Sequence, residues 1–281
     1  MPSCNICKKN NLSKIYLNLI KCNNCNHIFA NLDLDENEIK KIYEETYFFG
    51  GEYINYVEDK KLIEKNAKLR LKIINRYLKN LGNKKLLEIG CAYGFFMNFV
   101  NNFFKKTVGF DVSKKSIEYA RKKFNLNVFH DDFINKNIED KFDIVCMWDV
   151  IQHLNDPDLY LKKINKLTSD DGILALTTGN IASFNARFSK QNWRLIHPPS
   201  HIHYFSKESM TKILKNNGFE IIHFEHCGYY RSLKFMLLSM KFINKNFNWL
   251  NKFFDIFPFL NIGIYLNMYD IMYVIAKKQQ V

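Results

Sequence analysis

One short stretch limits what this chain can fold into more than any other: Glu88-Ile89-Gly90-Cys91-Ala92-Tyr93-Gly94. The apolar run over residues 84–89 predicts a buried strand, and the apolar pattern over 95–104 predicts a helix. Between them stands a turn of small residues, Gly90, Ala92 and Gly94. Small residues let a backbone approach a ligand closely, and the helix start that follows offers N–H groups. Asp111 ends the next apolar strand, 21 residues after Gly90. A carboxylate there accepts hydrogen bonds from both ribose hydroxyls of an adenosine. Turn and acid together fit either a nicotinamide dinucleotide or S-adenosylmethionine.

From residue 84 onward, strand and helix patterns alternate. Strands are expected at 84–89, 107–110, 127–130, 142–148, 173–178 and 220–226, with a last one at 268–276. Helices are expected at 95–104, at 113–124 with Ser113 as cap, at 157–167 opened by Pro157, and from Ser206 to a stop at Gly218. Residues 142–148 are apolar almost throughout, as in the middle of a parallel sheet. The alternation implies an α/β fold, a doubly wound and mostly parallel sheet of seven strands. Residues 229–266 interrupt it. They are rich in Phe, Leu, Met and Ile and read as a helical insert, two amphipathic helices broken at Pro258. Such an insert suits a lid or core packing, a dimer face, or peripheral contact with a membrane surface.

Two smaller units precede this domain of residues 83–281. Residues 1–31 carry Cys4-Asn5-Ile6-Cys7 and, after fourteen residues, Cys22-Asn23-Asn24-Cys25. Each pair sets two thiolates on one tight turn, and two such turns gather four soft ligands into a tetrahedron around Zn2+. About 30 residues cannot build an apolar core alone, so a metal would supply the folding energy of this zinc-ribbon-like module. Four cysteines suffice, which leaves His27 a bystander. Residues 32–82 read as a helical linker, with Ile63, Ala67, Leu71, Ile74, Leu78 and Leu81 forming one apolar stripe that stops at Gly82. Before the stripe, Tyr47 and Tyr53 flank Gly50-Gly51 in an aromatic stretch that suits a lid over a ligand or core packing.

Composition bounds the partners. Hydrophobic residues make up 47% of the chain, enough for a sizeable core, which excludes a disordered protein. The formal charge of +13 admits an anionic partner: nucleic acid, a nucleotide-linked sugar or a membrane surface. The lysines are scattered, however, and pairs such as Lys122-Lys123 and Lys162-Lys163 lie on helix faces, which fits a solvated surface. No run approaches the roughly 18 apolar residues needed to span a bilayer, and residues 1–10 do not read as a signal peptide. Seven cysteines, four of them at metal spacing, point to a reducing cytoplasm.

Taken together, these segments resemble class I S-adenosylmethionine-dependent methyltransferases, enzymes with a Rossmann-like fold. Glu88 to Phe96 is similar to their first motif, and Gly109-Phe110-Asp111-Val112-Ser113 to their second. His130-Asp131-Asp132-Phe133 resembles the acidic position that meets adenine. Phe142-Asp143-Ile144-Val145, with Asp149-Val150-Ile151-Gln152-His153-Leu154-Asn155-Asp156-Pro157, resembles their fourth-strand motif, and Asp171-Gly172-Ile173-Leu174 their fifth. His201-Ile202-His203-Tyr204-Phe205-Ser206 resembles a segment of a subgroup acting on small molecules, often sugars. Two positions depart from the pattern: Ala92 stands where many relatives have glycine, and Gln152 where glutamate is usual.

The resemblance implies that Gly90, Ala92 and Gly94 shape the loop beside the methionine part of the cofactor, which Glu88 organises from below. It places Asp111 on the ribose with Val112 beside it, and Asp132 on the adenine with Phe133 packed on the ring. An alcohol acceptor loses a proton, so a base nearby assists transfer. His153 and His203 are the expected bases, ahead of His201 and Tyr204, because histidine titrates near neutral pH. The expected function is O-methylation of a small molecule, a sugar or surface-polysaccharide precursor, free or nucleotide- or lipid-linked. Chains with a four-cysteine module before such a domain include sugar C-methyltransferases. A second reading is a ribosomal RNA base methyltransferase, to which the positive charge is suited, although Trp148-Asp149-Val150-Ile151 stands where many base N-methylating relatives carry an Asn-Pro-Pro-Tyr-type motif. A third is a binding protein that keeps the fold without catalysis.

Overall fold

The computed structural model describes residues 3–32, 59–233 and 262–280. Strands β1 (Leu12–Lys14), β2 (Leu19–Cys22) and β3 (Ile28–Ala30) open the chain. Helix α1 (Lys60–Tyr77), β4 (Lys85–Ile89), α2 (Phe95–Val100), β5 (Lys106–Asp111), α3 (Lys114–Phe124) and β6 (Val128–His130) follow. Then come β7 (Phe142–Trp148), α4 (Pro157–Leu167), β8 (Thr168–Gly179), α5 (Phe184–Ser189), β9 (His203–Tyr204), α6 (Lys207–Asn216) and β10 (Phe219–His226). The last are β11 (Tyr229–Ser232), β12 (Gly263–Leu266) and β13 (Ile271–Lys278).

Seven strands form one sheet in the order β10-β13-β8-β7-β4-β5-β6. β6, β5, β4, β7 and β8 run parallel, while β13 enters antiparallel between β8 and β10. The expected doubly wound, seven-stranded, mostly parallel sheet is therefore present. The chain leaves β4 toward β5 on one side and later builds β7 on the other. Loops diverge at such a switch and leave a crevice beyond the carboxyl ends of the strands.

Local chemistry sets the helix starts. The Ser113 hydroxyl accepts from the Ser116 N–H, Asp156 accepts from the N–H groups of Asp158 and Leu159 ahead of Pro157, and Ser206 and Ser209 form a reciprocal cap. Successive residues of each strand face opposite sides of the sheet. Leu87, Val145, Leu174 and Val274 pack with Leu161, Ile164 and Ile213 of α4 and α6 on one face. Leu86, Ile144, Ile173 and Tyr273 pack with Ala67, Leu71 and Ile74 of α1 on the other, so the predicted stripe is the buried face of α1.

Three expectations change. Within the described residues the linker helix covers Lys60–Tyr77 and ends short of Gly82, because Leu78 turns extended. The insert opens and closes as strands: β11 pairs antiparallel with β12, which replaces helix at both ends of 229–266. The proposed helices inside it, and Tyr47 and Tyr53, fall outside the described residues. Lastly, the sheet of the amino-terminal module has a fourth strand from the methyltransferase-like region, since β3 pairs with β9 and the Ala30 N–H donates to the Ile202 carbonyl at 2.8 Å.

His27 joins these parts. It is wholly buried, and its Nε2 lies 3.0 Å from Nδ1 of His203, itself 1% exposed. Loss of a buried hydrogen-bond partner costs about 1–3 kcal/mol. His203→Ala should therefore lower the unfolding free energy in urea by about 1–3 kcal/mol while leaving S-adenosylhomocysteine affinity within about twofold. A large loss of affinity with unchanged stability would reverse this assignment.

Candidate functional site

Loops after β4, β5, β6 and β7 meet at the crevice. Gly90, Ala92 and Gly94 all adopt the left-handed conformation, with φ of +75°, +46° and +74°. A Cβ on Gly90 would sit 2.4 Å from Val150 Cγ2, and one on Gly94 2.7 Å from Leu126 Cδ1, so neither position tolerates a side chain. Ala92 keeps its methyl at a conformational cost of about 1–2 kcal/mol. Its N–H donates to Asp111 Oδ2 at 2.8 Å, while Asp111 Oδ1 accepts from the Ser113 N–H at 2.8 Å. A charge-assisted bond of this kind contributes about 1.5–3 kcal/mol. That offsets the strain and explains how alanine occupies a left-handed position here. Burial pushes the Asp111 carboxyl up against the pull of these two donors.

Glu88 lies beneath the turn at the end of β4, 2% exposed, with Oε2 lacking a hydrogen-bond partner. Val112 is partly exposed beside Asp111. Asp132 accepts from the Ile134 N–H at 3.1 Å and from the Tyr160 hydroxyl. Phe133 is buried, packed edge-on to Phe110 at 5.9 Å and against Tyr160. Its ring packs in the core next to Asp132.

The histidines sort themselves by their partners. His203 is turned toward His27, and burial pushes its pKa down to about 4; a ring so placed is a poor base at neutral pH. His153 Nδ1 lies 2.7 Å from the Ser200 carbonyl, which can only accept, so Nδ1 carries the proton. Gln152 Oε1 accepts from Thr178 Oγ1 at 2.9 Å, which turns the Gln152 amide nitrogen toward His153 Nε2 at 3.3 Å. Both ring nitrogens of His153 are thus engaged, and the glutamine at this position supplies one of the bonds. Tyr204 is buried, with its hydroxyl donating to the His201 carbonyl at 3.0 Å. His201 lines a cavity at the strand ends, and its Nδ1 donates to the Leu195 carbonyl at 2.8 Å.

That cavity is also lined by Asn66 and Arg70 of α1, Asp149, Arg194 and Tyr230. Arg70 is a site residue that sequence reasoning missed. Its guanidinium lies 3.6 Å from Asp149 and 4.6 Å from the Trp148 ring centroid. A wider hollow, about 510 Å³, flanks β5 and β6 between Lys106 and Phe142 and lies away from these loops.

At the amino terminus the Sγ atoms of Cys4, Cys7, Cys22 and Cys25 all lie within 4.8 Å of one another, with Cys4–Cys25 and Cys7–Cys22 at 3.4 Å. Lys8 and Asn26, each just after a Cys-x-x-Cys pair, are left-handed, so the two turns repeat one geometry. Zinc–sulfur bonds of about 2.3 Å set tetrahedral sulfurs about 3.8 Å apart; the four thiols fit that donor set. His27 stands outside it.

Comparison with known proteins agrees with this geometry. Residues 60–224 match the methyltransferase domain family, to which the chain belongs. The fold and the loop are those of a class I S-adenosylmethionine-dependent methyltransferase domain. A ubiquinone biosynthesis O-methyltransferase of Pelagibacter ubique is 35% identical over 107 residues, 36% of this chain and 45% of that protein. Its counterpart from Actinobacillus pleuropneumoniae is 28% identical over 123 residues, 40% and 53% of the two chains. The chain thus spans about half the length of these curated relatives. Among solved structures, a magnesium protoporphyrin IX methyltransferase from Synechocystis with bound SAH shares the fold at a TM-score of 0.55 and 16% identity, over 87% of this chain and all of that one.

Burial raises Glu88 from 4.5 to about 8. Between those values the folded protein keeps a proton that the unfolded chain has lost. Its contribution to stability is present at low pH and lost as pH rises through about 8. Glu88→Gln should flatten this part of the profile in urea denaturation between about pH 5 and about pH 9. Equal slopes in the two proteins would remove Glu88 as the responsible group.

Proposed function

We propose that this protein transfers the methyl group of S-adenosylmethionine to a hydroxyl oxygen of a small molecule. The observation that carries the reading is the left-handed turn of Gly90, Ala92 and Gly94 clamped by Asp111 after β4 of the parallel sheet. Bound S-adenosylmethionine supplies an electrophilic methyl on a sulfonium with a good leaving group, so positioning provides much of the rate. In this reading Gly90, Ala92 and Gly94 give backbone room for the methionine part, and Asp111, flanked by Val112, takes the ribose. Asp132 takes the adenine amino group, supported by Phe133 from the core. Glu88, neutral while buried, meets the cofactor's ammonium. His201, which lines the cleft, takes the hydroxyl proton as the acceptor oxygen bonds to the methyl carbon and the carbon–sulfur bond breaks.

For the acceptor we carry forward a sugar or surface-polysaccharide precursor. The resemblance of residues 201–206 to the sugar-modifying subgroup supports it; the relatives named for ubiquinone biosynthesis support O-methylation. A second reading, RNA methylation, draws on the +13 charge and on a 32% match over 90 residues to a ribosomal RNA small subunit methyltransferase A of Mesomycoplasma hyopneumoniae. Label from S-adenosylmethionine offered nucleotide-sugars, phenols and total RNA separates the readings: label in RNA alone would sink the small-molecule assignment. Asp111→Asn should weaken S-adenosylmethionine binding by about 1–3 kcal/mol, because an amide cannot accept from both the Ala92 and Ser113 N–H groups. His201→Ala should lower the transfer rate by about 10²–10⁴-fold while leaving S-adenosylmethionine affinity unchanged; an unchanged rate would exclude His201.

We also propose that Cys4, Cys7, Cys22 and Cys25 hold a structural Zn2+. Thiolate ligation needs a reducing compartment, which supports the cytoplasm. None of the described helices is long and apolar enough to cross a membrane. Cys22→Ser should yield protein with substoichiometric zinc by atomic absorption and rapid proteolysis before residue 32; wild-type protein purified without metal would refute the assignment.

A further inference from the structure

The amino-terminal module reaches the wall of the cleft through one peptide unit. Strand β9 is two residues long, and among the described residues its sheet partner is β3, with Ile28 opposite Tyr204 and Phe29 opposite His203. So short a strand takes its position from its partner. Ile202, just before β9, is buried and gripped from both sides. Its carbonyl accepts from the Ala30 N–H at 2.8 Å, and its own N–H donates to the Gln152 carbonyl at 2.9 Å. The first bond comes from the module and the second goes to the loop after β7. His201, its neighbour in sequence, and Gln152 both line the cleft.

Side chains repeat the link. Leu19 and Ala30 share an apolar cluster with Trp193, Ile196 and Tyr204, and Leu195 packs against it. The Tyr204 hydroxyl donates to the His201 carbonyl at 3.0 Å, and His201 Nδ1 donates to the Leu195 carbonyl at 2.8 Å. Asn5 Nδ2 donates to the Asn155 carbonyl at 3.2 Å, a second tie from the module to the loop after β7. The turn of Gly90, Ala92 and Gly94 is held elsewhere: the Gly90 and Cys91 N–H groups donate to the Phe110 carbonyl, and that of Ala92 donates to Asp111.

We propose that β3 positions the acceptor wall: the Ala30 N–H, acting through Ile202, sets where His201 and Gln152 stand in the cleft. The module is then an arm of the active site, and loosening it disturbs the acceptor side while the cofactor side stays intact. This rests on the methyltransferase reading, because that reading makes the wall with His201 the acceptor side.

The test is hydrogen exchange, read by mass spectrometry, on full-length protein with and without S-adenosylhomocysteine, together with the imidazole nitrogen NMR signals of His201. Proline has no N–H to give, whereas serine keeps the N–H at nearly the size of alanine. Ala30→Pro should speed exchange across residues 197–206 and 149–157 by about tenfold or more, the scale for losing one buried hydrogen bond, and should shift the His201 signals. Ala30→Ser should return both to wild-type values. S-adenosylhomocysteine affinity should stay unchanged in both variants. Unchanged exchange at 149–157 with unchanged His201 signals in Ala30→Pro would overturn the proposal, as would Ala30→Ser behaving like Ala30→Pro. Lost S-adenosylhomocysteine affinity in Ala30→Pro would also overturn it, because the module would then support the whole fold. Failure of wild-type protein to bind S-adenosylhomocysteine would instead undo the methyltransferase reading, and the ligand-free comparison would still decide whether β3 positions the wall.

Discussion

Two backbone N–H groups converge on one carboxylate, and the site depends on that convergence. Asp111 takes the N–H of Ala92 from the loop after β4 and that of Ser113 from the start of α3. The bond to Ala92 fixes a turn that alternates into the left-handed region three times in five residues. The bond to Ser113 fixes the start of the helix behind it. One side chain therefore locks together the loops of adjacent strands before any ligand arrives, and a small ligand gains most from such preorganisation.

Much of this was legible in the residues themselves. The run over 142–148 matched β7 residue for residue, and Ser113, Pro157 and Ser206 marked helix starts because capping is local chemistry. The four cysteines converged as their spacing required. The histidines were not legible, since the role of a ring depends on what faces each nitrogen. His203 faces His27, 176 residues away in sequence, and His153 faces a glutamine amide and a distant carbonyl. Arg70 was invisible for another reason: it sits among the polar residues between the positions of an apolar stripe, and only the packing of α1 against β4 and β7 brings it to Asp149.

The cleft has two kinds of wall. One is built from loops after the central strands, with Asp149, Gln152 and Thr177, in the part of the chain that matches the methyltransferase domain family. The facing wall draws on α1, on residues 193–201 and on β11, which reach the site from the periphery of the sheet. Peripheral segments vary without disturbing the core, and binding specificity follows from them. The curated relatives all carry methyltransferase names, and those names span quinone biosynthesis and ribosomal RNA.

The position of β13 carries a consequence for how the protein is made. Residues 271–278 fill the gap between β8 and β10, hydrogen-bonding to both, and place Tyr273 against Trp148 and Ile275 in the layer under α1. During synthesis β8 emerges about a hundred residues before this partner. At roughly 5–20 residues per second, its outer edge waits on the order of ten seconds, a long interval for an unpaired strand. The acidic residues near the start of β8, Asp170 and Asp171, which later pair with Lys278 and Lys277 of β13, give the nascent edge a charged end that discourages pairing with another chain. The ion pairs that close the sheet thus double as protection while it is still open.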